Sequence, residues 1–161
     1  MAADLLGDGN VKVSFVLTVA NIAAPTATEL NGGTDLQEYI TKEGLEISAE
    51  QTPVDNTALA SVAETEDAGT TKYEITLTYK RKALTADDVA FTTLVPGTLG
   101  YLCVRRNKAH TTAWAASDEV EVYPVRVGSY MRQPPALNEP QTVQQRLFNH
   151  EAPDTEASVA A

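Results

Sequence analysis

The sequence predicts a mainly β domain with one short α-helix, and three observations carry that reading. From Tyr73 to Lys80 the alternation is strict, with Tyr73, Ile75, Leu77 and Tyr79 on one face and Glu74, Thr76, Thr78 and Lys80 on the other, the period of two that marks a half-buried strand. The stretch Val11–Ala20 repeats it, with Val11, Val13, Phe15, Leu17 and Val19 opposite Lys12, Ser14 and Thr18. The chain of 161 residues has a single cysteine, Cys103, and no apolar run long enough to span a membrane, so packing and partners have to hold the strands together.

Taken in order, Val11–Ala20 is the first strand, and Val16, a large apolar residue on its polar face, marks a candidate subunit contact. Thr26 with Glu29 forms the pattern that caps one helical turn, and Asn31-Gly32-Gly33 ends it. Leu36–Thr41 and Leu45–Ala49 read as two short strands meeting near Gly44. Residues 50–71 show no sustained period and read as a long polar loop, of the kind that is functional or ordered by a partner. Residues 72–106 form a strand, helix and strand unit. Thr85 and Asp88 read as a capping box for a helix through Leu94, Pro96-Gly97 stops it, and Leu99–Val104 reads as a strand covered on both faces.

A loop, Asn107–Ser117, carries His110 and Trp114. Strand character returns at Glu119, where Val120 and Val122 have one parity and Val125 and Val127 the other; Pro124 at the change predicts a β-bulge. The domain expected from these elements covers residues 1–132. Pro134, Pro135 and Pro140 then predict an extended C-terminal arm over 133–161 bearing a small apolar cluster of Val143, Leu147 and Phe148.

The net charge is −10, but it is unevenly spread: residues 1–71 hold twelve acids and two bases, and residues 72–132 nine bases and six acids. Surfaces of opposite sign suit head-to-tail self-association. Catalytic chemistry finds no footing. Cys103 lies in the most apolar strand and is better explained as a small core hydrophobe than as a partner of His110, and Asp87-Asp88 as acids in a helix first turn. No phosphate-binding glycine loop, dinucleotide fingerprint or zinc spacing is present. Neither metal nor cofactor is expected, and Met1–Gly9 lacks the regions of a signal peptide, so assembly in the host cytoplasm and no membrane association are expected.

The strand Val11–Ala20 running into Asn21-Ile22-Ala23-Ala24-Pro25-Thr26, followed by Glu29-Leu30-Asn31-Gly32-Gly33-Thr34-Asp35-Leu36, resembles the opening of the tail tube (major tail) proteins of long-tailed, non-contractile phages infecting actinobacteria. The Asp118–Gly128 strand, its proline-rich exit and the alanine-rich end after Gln145-Arg146-Leu147 are similar as well. The resemblance implies a β-sandwich or barrel flanked by one helix. It also implies hexameric rings whose inner strands join edge to edge into an intersubunit barrel, and rings stacked into a tube. Such a virion tail tube encloses the tape measure protein, meets tail terminator and distal tail proteins at its ends, and conducts DNA without reading its sequence.

On that reading Lys12, Ser14, Thr18, Glu74, Thr76 and Thr78 are the candidate lumen-facing residues. Thr52, Pro53, Asp55, Glu64, Arg81, Arg105, Val143, Leu147 and Phe148 join Val16 as candidate inter-ring or intersubunit contacts. No catalytic role is implied. The competing expectations are another virion part, such as a head-decoration or tail-completion protein, and a monomeric β-sandwich binding module, which would want more exposed aromatic residues than the single Trp114 supplies.

Overall fold

The computed structural model of the chain describes residues 2–161. In chain order the elements are β1 (Lys12–Val16), α1 (Ala27–Asn31), β2 (Thr34–Asp35), β3 (Ile40–Asp55), β4 (Glu66–Lys80), α2 (Val89–Thr93), β5 (Leu99–Arg105), β6 (Glu119–Val127), β7 (Met131–Arg132), β8 (Thr142–Asn149) and β9 (Asp154–Ser158). The strands are antiparallel and form one sheet in the order β2-β1-β5-β6-β8-β4-β3, with β7 added to β8 and β9 to β6. The sheet folds over at β6, whose Val125–Val127 end pairs with Leu147–Asn149 of β8 while its opposite end pairs with β9.

The fold-over makes a sandwich. Val13, Phe15, Leu102, Val104, Tyr123, Val125 and Val127 from one layer meet Ile75, Leu77, Tyr79, Val143 and Leu147 from the other. The alternation of β4 thus does what its sequence predicts, placing its apolar parity in this core. A second core lies on the far side of the β1-β5-β6 layer, where Val16, Cys103, Val120 and Val122 pack with Leu30 of α1, Trp114, Ala157 and Val159. Strand β5 is therefore covered on both faces, as its apolar run predicts. Helix α1 has the expected capping box, with the Glu29 amide donating to Thr26 Oγ1 at 3.2 Å and the Thr26 amide to the Glu29 carboxylate at 3.1 Å.

Five expectations are corrected. The parity change in β6 is not a bulge against its main neighbour, because the β5–β6 ladder runs unbroken from Leu99↔Arg126 to Val104↔Glu121. Val120 and Val122 face the second core while Tyr123, Val125 and Val127 face the first; two cores, not a kink, produce two parities. Residues 133–161 are no detached arm: β8 lies between β4 and β6, and β9 pairs with β6, so no domain boundary falls at 132. The loop expected over 50–71 is instead the outer part of a hairpin, β3 and β4 pairing from Ile40↔Tyr79 to Asp55↔Glu66. The two strands expected over 36–49 are replaced by the start of β3, with an irregularity between Ile40 and Leu45.

The capping box at Thr85 does not form. Helix α2 begins only after Asp88, whose carboxylate caps nothing. It accepts from Arg81 Nε at 2.6 Å and the Lys82 amide at 3.3 Å instead. A charge-assisted bond to a guanidinium outcompetes a cap on a five-residue helix.

One buried polar group ties the sandwich to α2. Gln145, fully enclosed, accepts from the Tyr79 hydroxyl at 2.6 Å and donates to the carbonyls of Leu94 and Gly128 at 2.9 and 3.1 Å. Burial also pushes the Tyr79 phenol above its ordinary pKa, so it remains a donor. Replacing Gln145 with Leu strands three buried polar groups. Urea unfolding of the Gln145→Leu protomer is expected to show a loss of about 2–4 kcal/mol with an unchanged m value.

Candidate functional site: a projecting hairpin and open sheet edges

The β3–β4 hairpin leaves the sandwich where the core ends. Its root is anchored by Ile75, Leu77 and Tyr79, each at most 1% exposed. From Ser48 to Asp55 every residue of β3 is exposed, as is most of the facing run of β4, Glu66–Lys72. At about 3.3 Å per residue the free part of the arm reaches about 25 Å beyond the body. Side chains stitch its tip: the Thr57 amide donates to Asp55 Oδ1 at 2.9 Å, the Thr65 amide to Thr57 Oγ1 at 2.9 Å, and Thr65 Oγ1 to Asn56 Oδ1 at 2.7 Å. Those bonds hold the Asp55 carboxyl below its ordinary range. Pro53 sits beside the register shift that follows Gln51, where a missing amide donor is tolerated.

The arm is acidic throughout. Residues 43–71 contain Glu43, Glu46, Glu50, Asp55, Glu64, Glu66 and Asp67 and no basic residue. Its tip also presents Leu59 and Val62 wholly to solvent. Two backbone edges are open as well. Strand β3 ends the sheet with no neighbour beyond it, and β4 loses β8 as a neighbour outward of Ile75. Open edges of this length are sites for pairing with another chain unless something covers them.

The outward face of the β3-β4-β8 layer is polar. The register places Glu46 beside Thr76 and Ser48 beside Glu74, and Arg146 beside Thr76 and Gln144 beside Thr78. Glu74 is bracketed by Lys72 at 3.1 Å and Arg146 at 3.4 Å, whose positive charge holds its carboxyl below the usual range. Phe148 is half exposed on this face, with the Arg146 guanidinium 4.9 Å from its ring centre.

The candidate residues thus divide. Glu74, Thr76 and Thr78 share that outward polar face, and Thr18 is exposed just past β1. Lys12 and Ser14 are instead enclosed on the second-core side: Lys12 Nζ donates to Asp35 Oδ2 at 3.1 Å, and Ser14 Oγ donates to Asp35 Oδ1 at 2.7 Å while accepting from the Trp114 indole at 3.2 Å. Neither can line a channel. Of the candidate contacts, Thr52, Pro53, Asp55 and Glu64 lie exposed on the arm, and Phe148 on the outward face. Val16, Val143 and Leu147 are core residues, at most 4% exposed. Arg81 is engaged by Asp88 and lies 3.6 Å over the Phe91 ring, itself stacked on Tyr130.

Arg105 is buried too, and its role is to fold the Asn107–Ser117 loop. It donates to Asp118 Oδ2 at 3.0 Å and to the carbonyls of Ala109, Thr112 and Ala113. Lys108 also pairs with Asp118. Cys103 is fully enclosed, and burial pushes its thiol up to about 12, so it is no nucleophile. Sequence periodicity missed Glu46, Glu50, Glu66, Asp67, Leu59 and Val62 of the arm. The signal that finds them is the unbroken run of acids without a base.

A family model described as phage tail tube protein matches residues 1–161. Comparison with curated proteins returns no match.

The loop under the second core makes an acid-sensitive point. Burial raises the Asp118 carboxyl, but bonds from Lys108, the Ala115 amide and Arg105 outweigh it and leave the pKa lowered. A lowered native pKa stabilises the fold fully above the unfolded value of about 4, and that contribution is lost as pH falls through the native one. Asp118→Asn, which leaves Arg105 charged and buried, is expected to cost about 3–5 kcal/mol at pH 7. In urea titrations between pH 7 and pH 2 the variant should lose less stability than the parent.

Proposed function

The chain belongs to the phage tail tube protein family, and on that premise we propose that its protomers close into hexameric rings that stack into the tail tube. The protein is a structural component of the virion tail, and its family is not enzymatic. The observation that carries the proposal is the pair of open edges on the β3–β4 hairpin. An edge along all sixteen residues of β3 would be an aggregation hazard in a protomer that stayed alone. A ring lets each protomer offer that edge to its neighbour, and joining the inner sheets makes a closed barrel without free edges.

In this arrangement the outward polar face of β3-β4-β8 lines the bore, with Glu74, Thr76 and Thr78 joined by Glu46, Ser48, Glu50, Gln144 and Arg146. The arm, with Thr52, Pro53, Asp55 and Glu64, reaches the adjacent ring. The bore first holds the tape measure protein and later passes DNA; carboxylates on its wall disfavour tight phosphate contact. Tail terminator and distal tail proteins cap the ends, and assembly takes place in the host cytoplasm.

Negative-stain electron microscopy of the purified protein, over a range of protein and salt concentrations, tests the reading. Hollow tubes of uniform bore are expected. Monomers that persist at every concentration, with or without added tail-tip proteins as initiators, would sink it.

A further inference from the structure

The two ends of the long β4 strand are chemically complementary. At one end the arm tip exposes Leu59 and Val62 among Asp55, Glu64, Glu66 and Asp67. At the other, the fifteen residues of β4 having carried the chain about 45–50 Å at roughly 3.3 Å each, lies a corner of different character. Here β4 ends, β3 and β8 begin, and the Arg81 amide donates to the Gln141 carbonyl at 2.9 Å, joining the 81–84 turn to the 133–141 loop. Lys42, Lys80, Lys82 and Arg132 stand at this corner without a carboxylate partner among the described residues; every other base except Arg126 has one. Leu84 and Leu137 are exposed beside them, at 66% and 93%. The acids nearby are Glu38, Glu43, Asp87 and Asp88, of which Asp88 is neutralised by Arg81.

We infer that the arm tip of one copy docks on the basic corner of the copy stacked beyond it. The occupant is a second copy of this chain because the unpartnered arm and the unpartnered bases are both its own, of opposite sign, and at opposite ends of one strand. Translation along the strand direction brings one onto the other without rotation, the condition for a contact that repeats indefinitely. Leu59 and Val62 then leave water against Leu84 and Leu137, while Glu64 and Glu66 approach Lys80 and Lys82. The apolar contact holds the joint and the charges set its polarity. The inference rests on the proposed tube and names the surface that each arm meets.

Charge reversal tests it. Sedimentation and electron microscopy of the full chain are compared for wild type, Glu64→Lys with Glu66→Lys, and Lys80→Glu with Lys82→Glu. Each reversed variant is expected to form rings or protomers but to raise the critical concentration for tubes at least about tenfold. An equimolar mixture of the two variants should form tubes again, since each reversed arm now matches the other's reversed corner. A neutralised arm, Glu64→Gln with Glu66→Gln, should give an intermediate rise. Wild-type assembly by a reversed or neutralised variant, or a mixture that stays unassembled while each variant melts like wild type, overturns the docking and leaves the tube intact. A wild-type protein that makes no tubes overturns the tube itself, so the two failures are distinguishable.

Discussion

A strand edge sixteen residues long, with partners on one side only, is the constraint to which the rest of the molecule answers. A two-stranded ribbon is marginal in water by itself, so the outer hairpin holds its shape because its root is fixed. Tyr73, Ile75, Leu77 and Tyr79 plant β4 in the sandwich, and β8 pairs with it as far as Ile75. Beyond that point the ladder, the Thr57 and Thr65 bonds and one bond from Gln51 to the Gly69 carbonyl hold the ribbon. Local opening is therefore cheapest at the tip and dearest at the root, which suits a segment whose tip meets a partner while its base transmits the load.

A rigid base needs more than one layer of packing at this size. The chain achieves it by covering both faces of β1, β5 and β6, so these strands serve two cores. The cost is that the second core closes over polar groups. Arg105 satisfies most of its donors with three loop carbonyls and Asp118, and the Lys12–Asp35–Ser14–Trp114 chain closes the other side. Such satisfied networks add little net stability over an apolar alternative, but they penalise any other arrangement of the loop. The Asn107–Ser117 segment, which has no regular structure, is thereby held in one conformation.

These two features also explain which parts of the fold were legible in the sequence. Where a strand has one buried face, as β4 does from Tyr73 to Tyr79, the alternation names the element, its face and its core residues. The capping box of α1 was readable for a similar reason, since a local side-chain bond decides it. Strands with two buried faces mislead: Val16 read as a stray exposed valine, Lys12 and Ser14 as a solvent face, and β6 as bulged, because periodicity assumes that one side is wet. The arm misleads in the opposite way. With neither face buried, nothing selects an alternating pattern, and strand residues look like loop. Proline spacing failed at the C-terminus because Pro134, Pro135 and Pro140 precede β8 without preventing it; pairing with β4 and β6 is a tertiary effect that no local rule carries. Of the candidate surface residues, those chosen from the arm were exposed, and those chosen for apolar character were in the core.

The placement of charge has its own logic in the proposed assembly. Seven carboxylates on one ribbon, with no base among them, repel the equivalent ribbons around a ring. Yet at physiological ionic strength the screening length is about 8 Å, and arms held apart by the width of a protomer feel little of that repulsion. Charges brought into contact and partly dried feel much less screening. The same acids are therefore tolerated sideways and strongly directed lengthwise, so a chain with net charge −10 resists unspecific clumping while retaining a defined polarity of stacking. Had the bases been mixed into the arm, lateral and axial contacts would have competed for the same partners.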